Sequence, residues 1–231
     1  MEASVGAGVG KVVEFTGSSR FGSEPLVQIR MLGGLTISRR GESLSLPASR
    51  KVRALLAYLT LSPRAVPRSR LCELLWETPN DPRGELRWCL SKLRRILDEP
   101  GRRRIEARGD TIRLDLSDCS VDVLEIARAT QDGVASLDAE RLRTLNALFN
   151  GELLEDLAMD RSPSFNAWLV AERHRLRGRQ IALLEQLVKC TEGEEVFACL
   201  QKWLQLAPFD RQVHDILLSE LARRGGMLEG E

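Results

Sequence analysis

Aromatic and histidine side chains are scarce in this 231-residue chain. Aromatics make up 5% of the residues, and the two histidines, His174 and His214, lie within helical patterns, away from any cysteine or serine motif. An enzyme needs positioned acid, base or nucleophile groups, and the sequence offers no such constellation. We therefore expect a protein that is not an enzyme, with no catalytic residue, cofactor or metal.

Paired cysteines and long apolar runs are also missing. The five cysteines are scattered, which argues against a disulfide framework or a zinc site and favours a reducing compartment. No stretch approaches the roughly 18 uncharged apolar residues of a membrane span. The N-terminus lacks a basic segment followed by an apolar run. These absences predict a cytoplasmic protein with no membrane partner.

Charge is abundant and unevenly distributed. The net charge is only +1, yet residues 27–116 carry 19 Lys and Arg against 10 Asp and Glu, whereas residues 117–231 carry 13 against 20. Such asymmetry indicates that the first half meets a polyanion while the second faces something else. The alternative is that solvated surface charge has merely segregated.

The chain divides into three parts by pattern. Residues 1–26 are rich in Gly, Ser and Ala and predict a flexible leader. Residues 27–116 begin with apolar residues at period two, which predicts three short antiparallel strands. Residues 117–231 are helical in period almost throughout, which predicts an all-α domain that resembles a tetratricopeptide-type hairpin around Pro208.

Three helices and a hairpin follow the first strands. Ser49 is expected to cap the first helix, the second follows Pro67, and the third runs from about Arg83 to Leu97. The alternation from Ile105 to Leu116 predicts a β-hairpin. We therefore expect an α+β winged helix-turn-helix domain over residues 27–116, followed by the all-α domain.

The third helix has one apolar stripe, formed by Leu86, Leu90, Leu93 and Leu97. At 100° per residue, Trp88 and Lys92 face away from this stripe. The major groove of DNA admits one α-helix. In that groove a Lys side chain can donate to guanine O6 and N7, and an apolar group can contact a thymine methyl. Trp88 and Lys92 are therefore the candidate base-reading residues.

Basic side chains around this helix are candidates for phosphate contacts, which fix register without reading sequence. Several lie at helix starts, where unpaired backbone amides already attract anions. If about six phosphates are neutralised, binding weakens with log salt at a slope of about −5. The candidate phosphate-contact residues are Arg50, Lys51, Arg53, Arg68, Arg83, Arg87, Ser91, Arg94 and Arg95.

The hairpin is the candidate wing. It is rich in arginine, with Arg102, Arg103 and Arg104 before its first strand, and its tip is expected to enter a neighbouring minor groove. Within the hairpin itself, the candidate contacts are Arg108, Thr111 and Arg113.

The residues then match a known family. Residues 50–59 (RKVRALLAYL), 74–76 (LLW) and 90–97 (LSKLRRIL) closely resemble the OmpR-type winged helix of antibiotic regulatory proteins of the SARP class. In that class an α-helical bacterial transcriptional activator domain follows. Residues 121–122, 151–154 and 168–176 resemble landmarks of that domain.

The resemblance implies a transcriptional activator that binds double-stranded DNA in a sequence-specific way. It implies a recognition helix in the major groove, a wing in the minor groove, and a homodimer on promoter direct repeats. It also implies that the loop before the recognition helix contacts RNA polymerase. In this chain that loop is Glu77, Thr78, Pro79, Asn80, Asp81 and Pro82. A rival interpretation is a helical protein-interaction adaptor whose winged helix does not bind DNA.

Overall fold

The structure is a computed structural model that describes residues 25–77 and 81–228. Its first sheet contains β1 (Val27–Arg30), β2 (Thr36–Arg39) and β3 (Glu42–Leu44), joined as antiparallel neighbours. The alternation seen in the sequence sets the faces, because Val27, Ile29 and Ile37 point into the core. The three predicted strands are therefore confirmed.

Three helices and a second sheet follow. The helices are α1 (Arg50–Leu61), α2 (Arg68–Leu75) and α3 (Pro82–Leu97). The second sheet has the order β4-β6-β5, with the predicted hairpin formed by β5 (Ile105–Arg108) and β6 (Thr111–Leu114). Its third strand, β4 (Val66–Pro67), precedes α2 and was not predicted; its two residues are too few for any visible period.

A strand from the second half of the sequence completes the first sheet. β7 (Cys119–Val121) pairs in parallel with β1 and is followed by α4 (Asp122–Ala129). The buried Asp122 carboxylate accepts hydrogen bonds from the backbone N–H groups of Met31 and Leu32, at 2.8 and 2.9 Å. The predicted boundary at residue 116 stays a prediction, but sheet pairing and hydrogen bonds cross it.

The prediction that residues 117–231 are all-α is therefore wrong at β7, which becomes a strand by pairing with β1. Apart from β7, the described part of the second half has helices and an irregular segment, residues 148–162, in which Leu153 forms a single bridge with Leu32. The helices after α4 are α5 (Ala139–Ala147), the long α6 (Pro163–Cys190), α7 (Glu194–Leu206) and α8 (Arg211–Leu228). The helices α7 and α8 meet around Pro208, and the Trp203 indole donates to Asp210 at 3.0 Å. A small β-sheet region followed by a helical region is thus the observed architecture.

One buried apolar cluster runs through both regions. Tyr58 of α1 contacts Trp168 of α6, with ring centroids 5.0 Å apart. The Ser162 hydroxyl, just before α6, donates to the carbonyl of Leu75 at the end of α2 at 2.8 Å. The sheet region and the long helix therefore pack directly on each other.

Two predicted details are wrong or fall outside the described residues. Ser49 precedes α1 as expected, but its side chain forms no capping hydrogen bond. The predicted leader lies outside the described residues apart from positions 25 and 26. No described helix is both long enough and apolar enough to cross a membrane.

Candidate nucleic-acid interface

The helix α3 is fixed at its start and along one face. The Asp81 side chain accepts from the Gly84 N–H at 2.8 Å, and Pro82 occupies the first turn, where its missing N–H costs nothing. The four leucines of the predicted stripe are buried. The opposite face of α3 is therefore held outward by packing behind it.

Trp88 and Lys92 lie together on this outward face. Trp88 is 48% exposed, and the Lys92 ammonium sits 5.3 Å from the centroid of its ring. This distance is within the range of a cation–π contact. Ser91 and Arg95 are exposed beside them, and the Ser91 hydroxyl donates to the Trp88 carbonyl.

Arginines from two helices line a groove beside α3. The groove has a volume of about 410 Å³ and is bordered by Arg68 at the start of α2 and by Arg83, Arg87 and Arg94 of α3. Asp110, in the turn of the hairpin, is its one acidic side chain. A backbone hydrogen bond also connects the start of α2 with the turn of the hairpin, because the Arg68 N–H donates to the Asp110 carbonyl at 2.8 Å. Four of the predicted phosphate-contact residues are thus brought together.

A second groove continues between α3 and the hairpin. Arg94 borders both grooves, and Arg103, Glu106 and Arg108 line the second one. Asp110 and Arg103 were not among the candidate contact residues. Their places depend on how the hairpin folds back over α3, which no local pattern in the sequence shows.

The basic residues at the start of α1 have other neighbours. Arg53 is half-buried, and its guanidinium donates to the Pro47 carbonyl at 2.9 Å and to the Asp156 carboxylate at 3.3 Å. Arg50 reaches the Ala158 carbonyl at 3.4 Å. Lys51 lies over the Trp76 ring. None of these three borders either groove.

The hairpin arginines divide into two groups. Arg108 and Arg113 are exposed on the hairpin, and Thr111 is half-buried there with its hydroxyl donating to the Arg108 carbonyl. Arg104, by contrast, is 1% exposed and donates two hydrogen bonds to the Asp118 carboxylate. Arg102 also pairs with Asp118, at 3.2 Å. Arg102 and Arg104, which the sequence analysis counts among the arginines of the candidate wing, are thus paired with carboxylates inside the fold.

Only part of the predicted polymerase loop can be located. Glu77 is exposed, Asp81 caps α3, and Pro82 is the first residue of that helix. Thr78, Pro79 and Asn80 lie outside the described residues.

The thiols near α3 are buried. Burial raises the pKa of the Cys89 thiol to about 11 and raises that of Cys72 as well, so both stay protonated at neutral pH. Within residues 25–77 and 81–228, no group of three or more His, Cys, Asp or Glu side chains is arranged to hold a metal ion.

The comparisons with known proteins bear on the fold. No family model and no curated protein matches this chain. Among solved structures, it is similar to Mycobacterium tuberculosis EmbR, determined in complex with a low-affinity phosphopeptide, with a TM-score of 0.62 and 21% sequence identity. The chain shares the EmbR fold. The match covers 81% of this chain and 52% of the EmbR chain, so this chain spans about half the length of EmbR.

Proposed function

We propose that this protein is a sequence-specific DNA-binding transcriptional activator of the SARP type, without enzymatic activity, that works in the cytoplasm. Residues 27–116 form its OmpR-type winged helix-turn-helix, with α3 as the recognition helix and the β5–β6 hairpin as the wing. Residues 117–231 form its tetratricopeptide-like bacterial transcriptional activator domain. EmbR, a SARP-family regulator, supports this proposal through the shared fold.

The arginine-lined groove is the observation that carries the proposal. Arg68, Arg83, Arg87 and Arg94 come from two helices yet border one groove at the side of α3. Phosphate oxygens are the natural partners of guanidinium groups, which donate in a planar fork. A row of phosphates along this groove would lay the outward face of α3 against the base edges.

The other candidate contacts have graded support. Ser91 and Arg95 lie on the exposed side of α3, and Arg108, Thr111 and Arg113 lie on the wing. Arg50, Lys51 and Arg53 are the weakest candidates, because their side chains already contact other parts of the chain. Our proposal keeps residues 77–82 as the RNA polymerase contact and a homodimer on promoter direct repeats as the bound form.

The test is the salt dependence of duplex binding by a double variant. Four phosphate contacts predict a log–log salt slope of about −4, at 0.9 per contact. We expect Arg87→Ala/Arg94→Ala to reduce this slope to about −2 and to weaken binding to all duplexes. The measurement is fluorescence anisotropy of a labelled duplex across a salt series.

The matched control removes two arginines from the helical region. Arg175 and Arg211 are exposed, and each pairs with a carboxylate on its own helix. Arg175→Ala/Arg211→Ala lowers the net charge by the same amount and should leave the slope unchanged. Equal slopes for wild type and Arg87→Ala/Arg94→Ala would remove the groove from the proposal. If the wild type retains no duplex in dilute buffer, the adaptor interpretation replaces it.

A further inference from the structure

The outward face of α3 carries one aromatic ring and one ammonium group in direct contact. Trp88 and Lys92 are four residues apart, so they stack on the same side of the helix. Trp88 leaves about half of its surface exposed although a large indole is usually buried. In the described part of the chain Lys92 makes no ion pair, whereas Arg87 on the same helix pairs with Asp81.

The contact restricts where the Lys92 charge can be. A lysine ammonium on its four-carbon stem is normally mobile, and a cation–π contact over an indole confines it. The positioned ammonium has three donors available for acceptors outside the protein. Trp88 therefore positions Lys92 while keeping an apolar surface of its own.

We propose that Trp88 and Lys92 act as one unit that reads a thymine and a guanine in neighbouring base pairs. This inference rests on the proposed function. Four helical residues rise about 6 Å, which is less than two base-pair steps of about 3.4 Å. The indole contacts the thymine C5-methyl, and the ammonium donates to guanine O6 and N7. Trp88 is thus a contact residue for thymine and a positioning residue for the guanine contact.

If Trp88 and Lys92 act as one unit, removing Trp88 also affects the base contact of Lys92, which would not happen with two independent contacts. Loss of the indole should weaken both readings, because Lys92 loses the ring that holds it. Loss of the ammonium should weaken only the guanine reading. The two variants are therefore expected to differ in which base they stop recognising.

The experiment begins with a duplex selected by the wild-type full chain from a randomised pool. In this duplex the thymine is replaced by deoxyuridine, which removes only the methyl group, or the guanine by 7-deazaguanine, which removes N7. For the wild type we expect affinity losses of about 3-fold for deoxyuridine and about 5- to 10-fold for 7-deazaguanine. Lys92→Ala should keep the first loss and abolish the second, whereas Trp88→Ala should abolish the first and reduce the second.

A pair of conservative variants separates contact from positioning. Trp88→Leu keeps an apolar group but has no ring, so it should keep the deoxyuridine loss and reduce the 7-deazaguanine loss. Trp88→Phe keeps a ring and should retain most of both. Arg95→Ala is the matched control on the same face, and it should weaken all duplexes alike with both losses intact. Thermal unfolding checks that each variant is folded, as expected for side chains on the exposed face.

The outcomes separate this inference from the proposed function. A full 7-deazaguanine loss in Trp88→Leu overturns the coupling between the two residues. A wild type that binds duplexes tightly but selects no thymine beside guanine overturns the reading itself, while DNA binding stands. A wild type that binds no duplex overturns the proposed function.

Discussion

Arg104 is a basic residue that does not contribute to the basic surface, because its side chain is buried. It is the most deeply buried charged side chain near the hairpin, and it lies between Asp118 and Glu99. The hydrogen bonds from Arg104 lower the pKa of the Asp118 carboxyl below its usual range. The same hydrogen bonds raise the pKa of the Arg104 guanidinium. A count of charges from sequence assigns this arginine to the surface because only the fold brings Asp118 to it.

We expect Asp118→Asn to destabilise the protein in a pH-dependent way. Because the folded carboxyl has the lower pKa, the pair stabilises the fold above the ordinary carboxyl pKa of about 4. That contribution is lost as the pH falls through the pKa of the folded state. Since Asp118 is about one-third exposed, we expect a loss of about 2 kcal/mol at pH 7, below the ~3–5 kcal/mol of a fully buried pair. Urea unfolding at pH 7 and pH 3 measures it.

Asp215→Asn is the control for this experiment. Asp215 pairs with Arg211 at 3.5 Å on an exposed helix surface, where such a pair contributes little. Its removal should change stability by less than about 0.5 kcal/mol. Equal effects of the two substitutions at pH 7, or an Asp118→Asn deficit that is no smaller at pH 3 than at pH 7, would contradict the role assigned to Asp118.

At the scale of elements, local period predicted most of the fold. The leucine stripe of α3, the hairpin, and the break between α7 and α8 at Pro208 all follow from patterns within one segment. The strand β7 is different, because it becomes a strand by pairing with β1, which lies about 90 residues away in the chain. Ser162 likewise directly precedes α6, yet its hydroxyl donates to the Leu75 carbonyl instead of capping its own helix.

The start of α3 depends on a residue without a side chain. A Cβ at Gly84 would lie 2.1 Å from the Asp81 carboxylate, so the carboxylate would have to rotate away from the N–H that it accepts from. In Gly84→Ala we expect the loss of this cap, about 1 kcal/mol, to cancel the helix-propensity gain of similar size. Thermal or urea unfolding should therefore show no net stabilisation.

Gly178→Ala provides the comparison in α6. Nothing lies within 4 Å of a Cβ at Gly178, so this variant should gain about 0.5–1 kcal/mol. In an Asp81→Ala background the cap is already absent, and Gly84→Ala should then stabilise like Gly178→Ala. Additive effects of Asp81→Ala and Gly84→Ala would show that the two positions are independent.

At the scale of the whole molecule, the site was only partly predictable. The α3 arginines follow from helical period, and the structure brings Arg83, Arg87 and Arg94 to one groove. The place of Arg53 was not predictable, because its acidic neighbour Asp156 is over 100 residues away in sequence. Both halves of the sequence contribute to one core. The contrast in charge between the halves suggests two separate units and gives no sign of this shared core.

Asp122→Ala tests the continuity in the full chain. Its carboxylate accepts from Met31 and Leu32, so truncation leaves two buried N–H groups without that acceptor. We expect a loss of about 2–3 kcal/mol and faster amide exchange at Met31 and Leu32. Hydrogen exchange followed by mass spectrometry and urea unfolding provide the two measurements.

Asp138→Ala is the matched substitution. Asp138 is exposed and accepts one N–H at the start of α5, so its loss should cost about 1 kcal/mol and leave exchange in the first sheet unchanged. If Asp138→Ala proves as costly as Asp122→Ala, the link between β1 and α4 is not a major source of stability.

The parallel pairing of β1 with β7 also determines where the protein can be recombined. A chimera joined at residue 116 would receive a foreign segment in place of β7, leaving a bare sheet edge open to association with other molecules. An exchange point between α4 and α5, at residues 130–138, would keep β7 and Asp122 in the same segment as β1, so the first sheet would stay complete.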